Sequence, residues 1–139
     1  MRQTDEFRIL AIDDSTDDLR HLESLGRRAT KPRCSMSVAT GIDHELAAAL
    51  AKRPHLVILD DCLASGLRGE DAMKALRAEG YHGPVAIVSG VRQPQRYGEL
   101  IRAGAMIYIS KDDLNLETFY GLIDMAMETS KVLKGRRGA

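Results

Sequence analysis

The sequence predicts an α/β protein in which a parallel β-sheet carries helices on both of its faces. Short apolar runs alternate along the chain with longer segments whose apolar residues recur every three or four positions. Two of the runs, Leu56–Leu59 and Val85–Val88, are apolar at every position, which is typical of strands buried on both faces. Alternation of this kind predicts five strands in one parallel sheet, connected by five helices.

The predicted elements follow one another in strict order. The strands are Phe7–Ile12, Cys34–Ala39, Leu56–Leu59, Val85–Val88 and Ala105–Ile109. The helices are a segment with Leu19, Leu22 and Leu25 before Gly26, then Asp43–Ala51, a segment around Met73 ended by Gly80, Pro94–Gly104, and a long helix from Leu116 past Met127. Asp14 or Ser15 can cap the first helix, and Pro54 stops the second.

Length and composition indicate one soluble globular domain. The 139 residues are 44% hydrophobic and 29% charged, and 20 basic residues balance 20 acidic ones, which argues against a nucleic-acid-binding domain. We expect a core over about 7–132 and a short, solvated basic tail over 133–139. Two cysteines and the lack of a signal or membrane-spanning segment favour a cytoplasmic protein with reduced thiols.

Polar residues follow four of the five predicted strands directly. Ligands of open α/β sheets bind beyond the carboxyl ends of the strands, so these side chains are expected to converge at one edge. They are Asp13 and Asp14 after the first strand, Asp60 and Asp61 after the third, Ser89 after the fourth and Lys111 after the fifth.

This set of side chains indicates phosphoryl chemistry. Carboxylates without a histidine or cysteine among them suit a hard divalent ion, Mg²⁺ before Zn²⁺. A lysine and a hydroxyl can hold phosphoryl oxygens. With no Ser-His or Cys-His pairing in evidence, the expected nucleophile is a carboxylate, which can form an aspartyl phosphate.

In this ordered set the chain resembles the receiver domain of two-component response regulators, from Phe7 to about Val132. The segment Ala103-Gly104-Ala105, followed by Tyr108-Ile109-Ser110-Lys111, is similar to the family's ending. The resemblance implies a flavodoxin-like doubly wound five-stranded sheet of order 2-1-3-4-5. It also implies a stand-alone receiver, a signalling switch rather than an enzyme, since little chain follows the last helix.

The resemblance also implies the role of each site residue. Asp60 would accept a phosphoryl group from a sensor histidine kinase or a histidine phosphotransfer protein. The Mg²⁺ ligands would be Asp14, Asp60 and the backbone carbonyl of Cys62, with Asp13 acting through water. Lys111 and Ser89 would contact the phosphoryl group, and Ser89 and Tyr108 would form the switch that remodels the face of the fourth helix, fifth strand and fifth helix. That face would contact a downstream protein or a second copy of the chain.

The choice between Asp60 and Asp61 depends on how the residues are counted. Counting along the strand from Pro54 gives Asp60 as the acceptor, whereas counting back eight residues from Gly69 gives Asp61. Insertions are tolerated in loops rather than strands, so we choose Asp60 and expect Asp61 to point away as a solvated or capping residue.

Two departures from the family pattern leave alternatives open. Leu63-Ala64 stands in place of the usual Met-Pro, in a loop that is one residue longer. Asp112 replaces the proline that usually follows the lysine, so a trans peptide is expected, because a cis bond without proline costs about 2.5–4 kcal/mol.

Two alternative functions stay open, a docking module that is never phosphorylated and a phosphorelay intermediate. A flavodoxin-type carrier is disfavoured because Asp13 and Asp14 would repel its phosphate, and a haloacid-dehalogenase-type phosphatase because these two aspartates are adjacent.

Overall fold

A computed structural model describes residues 6–43, 45–64 and 66–138, with side chains up to Lys131. The strands are β1 (Phe7–Ile12), β2 (Cys34–Ala39), β3 (Leu56–Asp60), β4 (Val85–Ser89) and β5 (Ile107–Ser110). The helices are α1 (Thr16–Arg28), α2 (Leu46–Ala51), α3 (Gly69–Ala78), α4 (Pro94–Arg102) and α5 (Leu116–Gly138), with a 3₁₀ turn at Lys111–Asp113.

The five strands form one parallel sheet in the order β2-β1-β3-β4-β5. This confirms the fold class predicted from the sequence and the strand order that the family resemblance implies. Every residue of β3 and β4 is buried, as their continuous apolar runs predict. The chain crosses to the other side of β1 after β2, so the carboxyl ends of β1 and β3 lie side by side.

Two hydrophobic clusters cover the two faces of the sheet. One packs α1 and α5 against the sheet, through Leu22 of α1 and Phe119 of α5 among others. The other packs α2, α3 and α4 on the opposite face, through Leu46, Met73 and Leu100. Within the described residues, no helix combines the length and the apolar character needed to cross a membrane.

Several element limits differ from those expected. The first helix continues past Gly26 to Arg28, and α2 begins at Leu46 rather than Asp43. The last helix continues through Gly138, so the backbone of the expected basic tail is helical almost to the end. The side chains of residues 132–138, and Ala139, lie outside the described residues, so the solvated character of that tail stays a prediction.

Candidate functional site

Three carboxylates meet where β1 and β3 end. Asp60 is the last residue of β3, and Asp13 and Asp14 directly follow β1. One oxygen from each of Asp13, Asp14 and Asp60 lies within 4.8 Å of those of the other two. Asp13 and Asp60 are buried and Asp14 is exposed, so the cluster opens to solvent on one side.

Lys111 supplies the positive charge of this site. Its ammonium Nζ lies 2.7 Å from Oδ2 of Asp13, 2.7 Å from Oδ2 of Asp18 and 3.4 Å from Oδ1 of Asp60. The lysine heads the 3₁₀ turn, where Ser110 Oγ accepts a hydrogen bond from the Asp112 N–H. Lys31–Pro32 is the cis peptide of the described chain, so the Lys111–Asp112 bond is trans, as predicted.

Burial and charge shift the ionisation of these groups. Burial, together with the negative charge of Asp13, raises the pKa of Asp60 to about 6, and the neighbouring ammonium of Lys111 offsets this only in part. Burial alone would lower the pKa of Lys111, but its contacts with Asp13 and Asp18 hold that pKa above its usual range. The hydrogen bond from Lys111 lowers the pKa of Asp18.

The donor set fits a hard divalent cation. Asp13 Oδ2 is buried and ion-paired with Lys111, yet no hydrogen bond of good geometry reaches it. The residues around it offer carboxylate oxygens rather than nitrogen or sulfur, and such ligands are preferred by Mg²⁺. Cys62 has an exposed side chain and pairs through its backbone with Arg68.

Ser89 and Tyr108 share one backbone neighbour at the end of β4. The Ser89 hydroxyl donates to the carbonyl of Val91 at 2.7 Å and accepts from the Val91 N–H at 3.2 Å. The Tyr108 hydroxyl donates to the same carbonyl at 3.4 Å. Ser89 is buried, whereas Tyr108 is half-buried and lines a groove with Tyr97 of α4.

Asp61 does not have the solvated environment expected from the sequence. Its side chain is 3% exposed and faces away from the acidic cluster, toward α3 and α4. The carboxylate accepts hydrogen bonds from the Gly69 N–H at 3.0 Å, from Arg96 and from Arg68. The capping role is thus present at the start of α3, but the solvated role is wrong, because a buried carboxylate requires charged partners.

Arg96 is the centre of a charged cluster that the sequence did not reveal. Its guanidinium contacts three carboxylates, those of Asp61, Glu70 and Glu99, while its own side chain is only 9% exposed. We call Asp61, Arg68, Glu70, Arg96 and Glu99 the Arg96 cluster. The available signal was an arginine three residues before a glutamate on α4, a spacing that is also common on exposed helix faces.

Asp18 is the second residue that the sequence analysis missed. It lies in the first turn of α1, where its N–H donates to the Ser15 side chain at the helix N-cap. Its carboxylate accepts a hydrogen bond from the Lys111 ammonium at 2.7 Å, although the two residues are 93 positions apart in sequence.

The chain was compared with known proteins. The family model for the response regulator receiver domain matches residues 9–119. A comparison with curated proteins gave no significant match.

Solved structures of receivers share the fold. A response regulator receiver domain protein from Clostridium thermocellum superposes with a TM-score of 0.74 at 21% identity, covering 91% of this chain and 98% of that one. The chemotaxis response regulator CheY4 of Vibrio cholerae gives 0.71 at 20% identity, covering 88% and 99%. The BeF3-activated N-terminal receiver domain of Klebsiella pneumoniae RstA gives 0.70 at 21% identity, covering 86% and 97%. One family model matches most of the chain, and the structure places an acidic cluster and a lysine at the carboxyl edge of the sheet. The chain belongs to the response regulator receiver domain family of two-component signalling.

Proposed function

We propose that this receiver is a switch activated by phosphorylation of Asp60. The observation that carries the proposal is the position of Asp60 at the carboxyl edge of the sheet, where it lies beside Asp13, Asp14 and Lys111 while Asp61 faces the opposite way. Asp60 alone of the adjacent pair belongs to the group of carboxylates that can hold a metal.

The proposed reaction is a phosphoryl transfer from a phosphohistidine of a sensor kinase or a phosphotransfer protein. An oxygen of Asp60 attacks the phosphorus, the N–P bond breaks, and the released imidazole nitrogen takes a proton from solvent. Lys111 then pairs with the phosphoryl oxygens, and Ser89 exchanges its bonds with Val91 for a bond to the phosphoryl group. The receiver loses the phosphoryl group again by hydrolysis.

Mg²⁺ is the proposed cofactor. Asp14, Asp60 and the backbone carbonyl of Cys62 would hold it directly, and Asp13 through water. When bound, the ion would neutralise the negative charge of the carboxylates and the phosphoryl oxygens.

The proposed output is a protein contact on the face formed by α4, β5 and α5. Movement of Ser89 would break both of its hydrogen bonds to Val91 and free that backbone to move together with the Tyr108 hydroxyl that donates to it, which would change the groove between Tyr108 and Tyr97. A downstream protein, the next member of a phosphorelay, or a second copy of the chain would bind there.

The adjacent aspartates provide the test. The protein is incubated with acetyl phosphate and Mg²⁺, and the intact mass is followed for an adduct that is stable to acid and labile to base. We expect the adduct on the wild type and on Asp61→Asn, and none on Asp60→Asn. Asp17→Asn, at an exposed position of α1, controls for the loss of a carboxylate.

Two results would contradict the proposal. An adduct that persists in Asp60→Asn and disappears in Asp61→Asn would move the acceptor to Asp61. A wild type that forms no adduct with any phosphodonor would favour the docking module that is never phosphorylated.

A further inference from the structure

Helix α4 buries few of its side chains. Of its nine residues, only Arg96 and Leu100 are buried. Leu100 packs in the apolar cluster on the side of α3, and Arg96 lies among charged groups. Besides its packing along β5, α4 therefore has one buried apolar anchor and one buried ionic anchor.

The ionic anchor connects α4 directly to the neighbour of the phosphoacceptor. Arg96 donates to Asp61 through two nitrogens, Nε to Oδ2 at 3.1 Å and Nη2 to Oδ1 at 2.7 Å. A planar guanidinium that holds a carboxylate in this way fixes both distance and orientation. Asp61 is also tied to β4, because its N–H donates to the Val88 carbonyl at 2.9 Å.

The rest of the Arg96 cluster keeps the connection in place. Glu70 and Glu99 accept hydrogen bonds from Nη1 of Arg96 at 2.7 and 2.6 Å, and the Gly69 N–H and Arg68 hold Asp61. Asp61 and Arg96 thus reach each other across the space between β3 and α4 with little exposure to water, where electrostatic interactions are screened least.

We propose that the Asp61–Arg96 pair is a positioning element that transmits a change at Asp60 to helix α4. The inference rests on the proposed function of Asp60 and adds a second connection to the contact of Ser89 and Tyr108 at Val91. A negative phosphoryl group on Asp60 moves the backbone at 60–62, Asp61 moves with it, and the two-nitrogen contact draws the first turn of α4 along.

The experiment separates transmission from stability. A buried ion pair is often replaced by apolar residues of similar size without loss of stability, whereas removal of one partner leaves a buried charge. The pair variant is therefore Asp61→Leu with Arg96→Met, and Arg102→Met, at an exposed position of the same helix, is the matched control. Arg96→Lys retains the charge without the planar fork.

The readout is amide hydrogen exchange in α4 with and without beryllofluoride and Mg²⁺, with fluorine NMR to report binding of the ligand. We expect beryllofluoride to change the rate of amide hydrogen exchange in α4 about fivefold or more in the wild type and in Arg102→Met. The pair variant should bind beryllofluoride with little change in α4, and Arg96→Lys should give a reduced response.

A purely structural role predicts a different pattern. In that case the pair variant would exchange faster in the free state, but α4 would still respond to beryllofluoride as in the wild type, and the inference would be overturned. If the pair variant does not fold, a full response of α4 in Arg96→Lys overturns it instead. Beryllofluoride bound to the wild type without a response of α4 also overturns the inference while leaving the proposed acceptor site intact. Lack of beryllofluoride binding to the wild type would overturn the proposed function and, with it, the inference.

Discussion

Asp60 and Asp61 are adjacent in the chain and lie in opposite electrostatic environments. Asp60 shares its surroundings with two carboxylates and a lysine, and its pKa is raised to about 6 by burial and by Asp13. Burial would also raise the pKa of Asp61, but hydrogen bonds from Arg96 and the Gly69 N–H hold it below its usual range. Asp60 thus shares one lysine with other carboxylates, whereas Asp61 is paired with two arginines.

Gly69 is the residue that lets α3 begin against Asp61. A Cβ at this position would lie 2.9 Å from Asp61 Oδ1, 2.9 Å from Leu100 Cδ2 and 3.0 Å from Ile87 Cδ1. We expect Gly69→Ala to lower the free energy of unfolding by about 1–3 kcal/mol, because the added methyl overpacks a buried site. Urea denaturation followed by circular dichroism measures the change.

Gly121 in α5 is the matched control for this substitution. A Cβ there meets no atom within 4 Å, so Gly121→Ala should raise the free energy of unfolding by up to about 1 kcal/mol through helix propensity. Equal effects of the two substitutions would show that the space around Gly69 adjusts freely.

At the scale of the elements, α3 and α4 are joined by the carboxylates around Arg96. The hydrogen bond from Arg96 lowers the pKa of Glu70 from an ordinary 4.5 to about 2. A lowered pKa stabilises the fold above the unfolded value, and this contribution is lost as the pH falls through the folded value. Glu70 therefore contributes to stability above about pH 4.5 and loses its contribution between about pH 4.5 and 2.

We expect Glu70→Gln to have a lower free energy of unfolding than the wild type at pH 6. The difference between the two should shrink as the pH falls toward 2. Urea denaturation at a series of pH values measures this difference. For Glu79→Gln, at an exposed position just after α3, the free energy of unfolding should depend on pH as it does in the wild type. A constant difference between Glu70→Gln and the wild type at all pH values would contradict the assignment of the ion pair.

The limits of the elements show where sequence patterns were sufficient. The strands β1 and β2 have the predicted bounds, because β1 is apolar at all positions but Arg8 and β2 alternates weakly between serines and apolar residues. The last strand begins at Ile107 rather than Ala105, because the Ala105 N–H donates to the Leu100 carbonyl and completes the turn that ends α4. The second helix begins late because the Asp43 side chain accepts from the Glu45 N–H, a local bond that competes with helix formation.

Gly26 was expected to end α1 and lies inside it. A Cβ at Gly26 would lie 2.5 Å from Cγ of Met36, so the Met36 side chain of β2 fills the space that the Cβ of another residue would occupy. A glycine that ends a helix and one that makes room for a neighbouring strand look identical in the sequence, and only the packing distinguishes them.

For the whole molecule, the parallel topology determines how much of the site could be predicted. Five site residues end a strand or directly follow one, and the carboxyl ends of parallel strands lie at one edge of the sheet; they are Asp13, Asp14, Asp60, Ser89 and Lys111. Asp18 and Arg96 are carried by helices, and their partners are 93 and 35 residues away in sequence. Their contacts depend on how α1 and α4 pack on the sheet, which residue spacing does not report.

Mg²⁺ should stabilise the whole fold if it binds the carboxylate cluster. A ligand present at 100 times its dissociation constant stabilises the native state by about 2.7 kcal/mol. We expect Mg²⁺ to raise the Tm of the wild type and of Asp17→Asn. Asp14→Asn should lose most of this effect while its metal-free Tm stays equal or rises, because Asp14 is exposed and repels its acidic neighbours.

Differential scanning calorimetry with and without Mg²⁺ measures these changes. A Tm of the wild type that does not respond to Mg²⁺, or an equal response in Asp14→Asn, would show that the cluster does not bind the ion.

The opposite orientation of the two aspartates has a consequence for insertions and deletions. Side chains alternate between the faces of a strand, so a shift of one residue exchanges the face that each one occupies. Deletion of one residue within β3 would present Asp61 to Lys111 and leave Arg96 without its partner, although the composition of the site would hardly change. A change of length between Leu63 and Arg68 leaves β3 in register, so the chain tolerates a change of length better in this loop than within the strand.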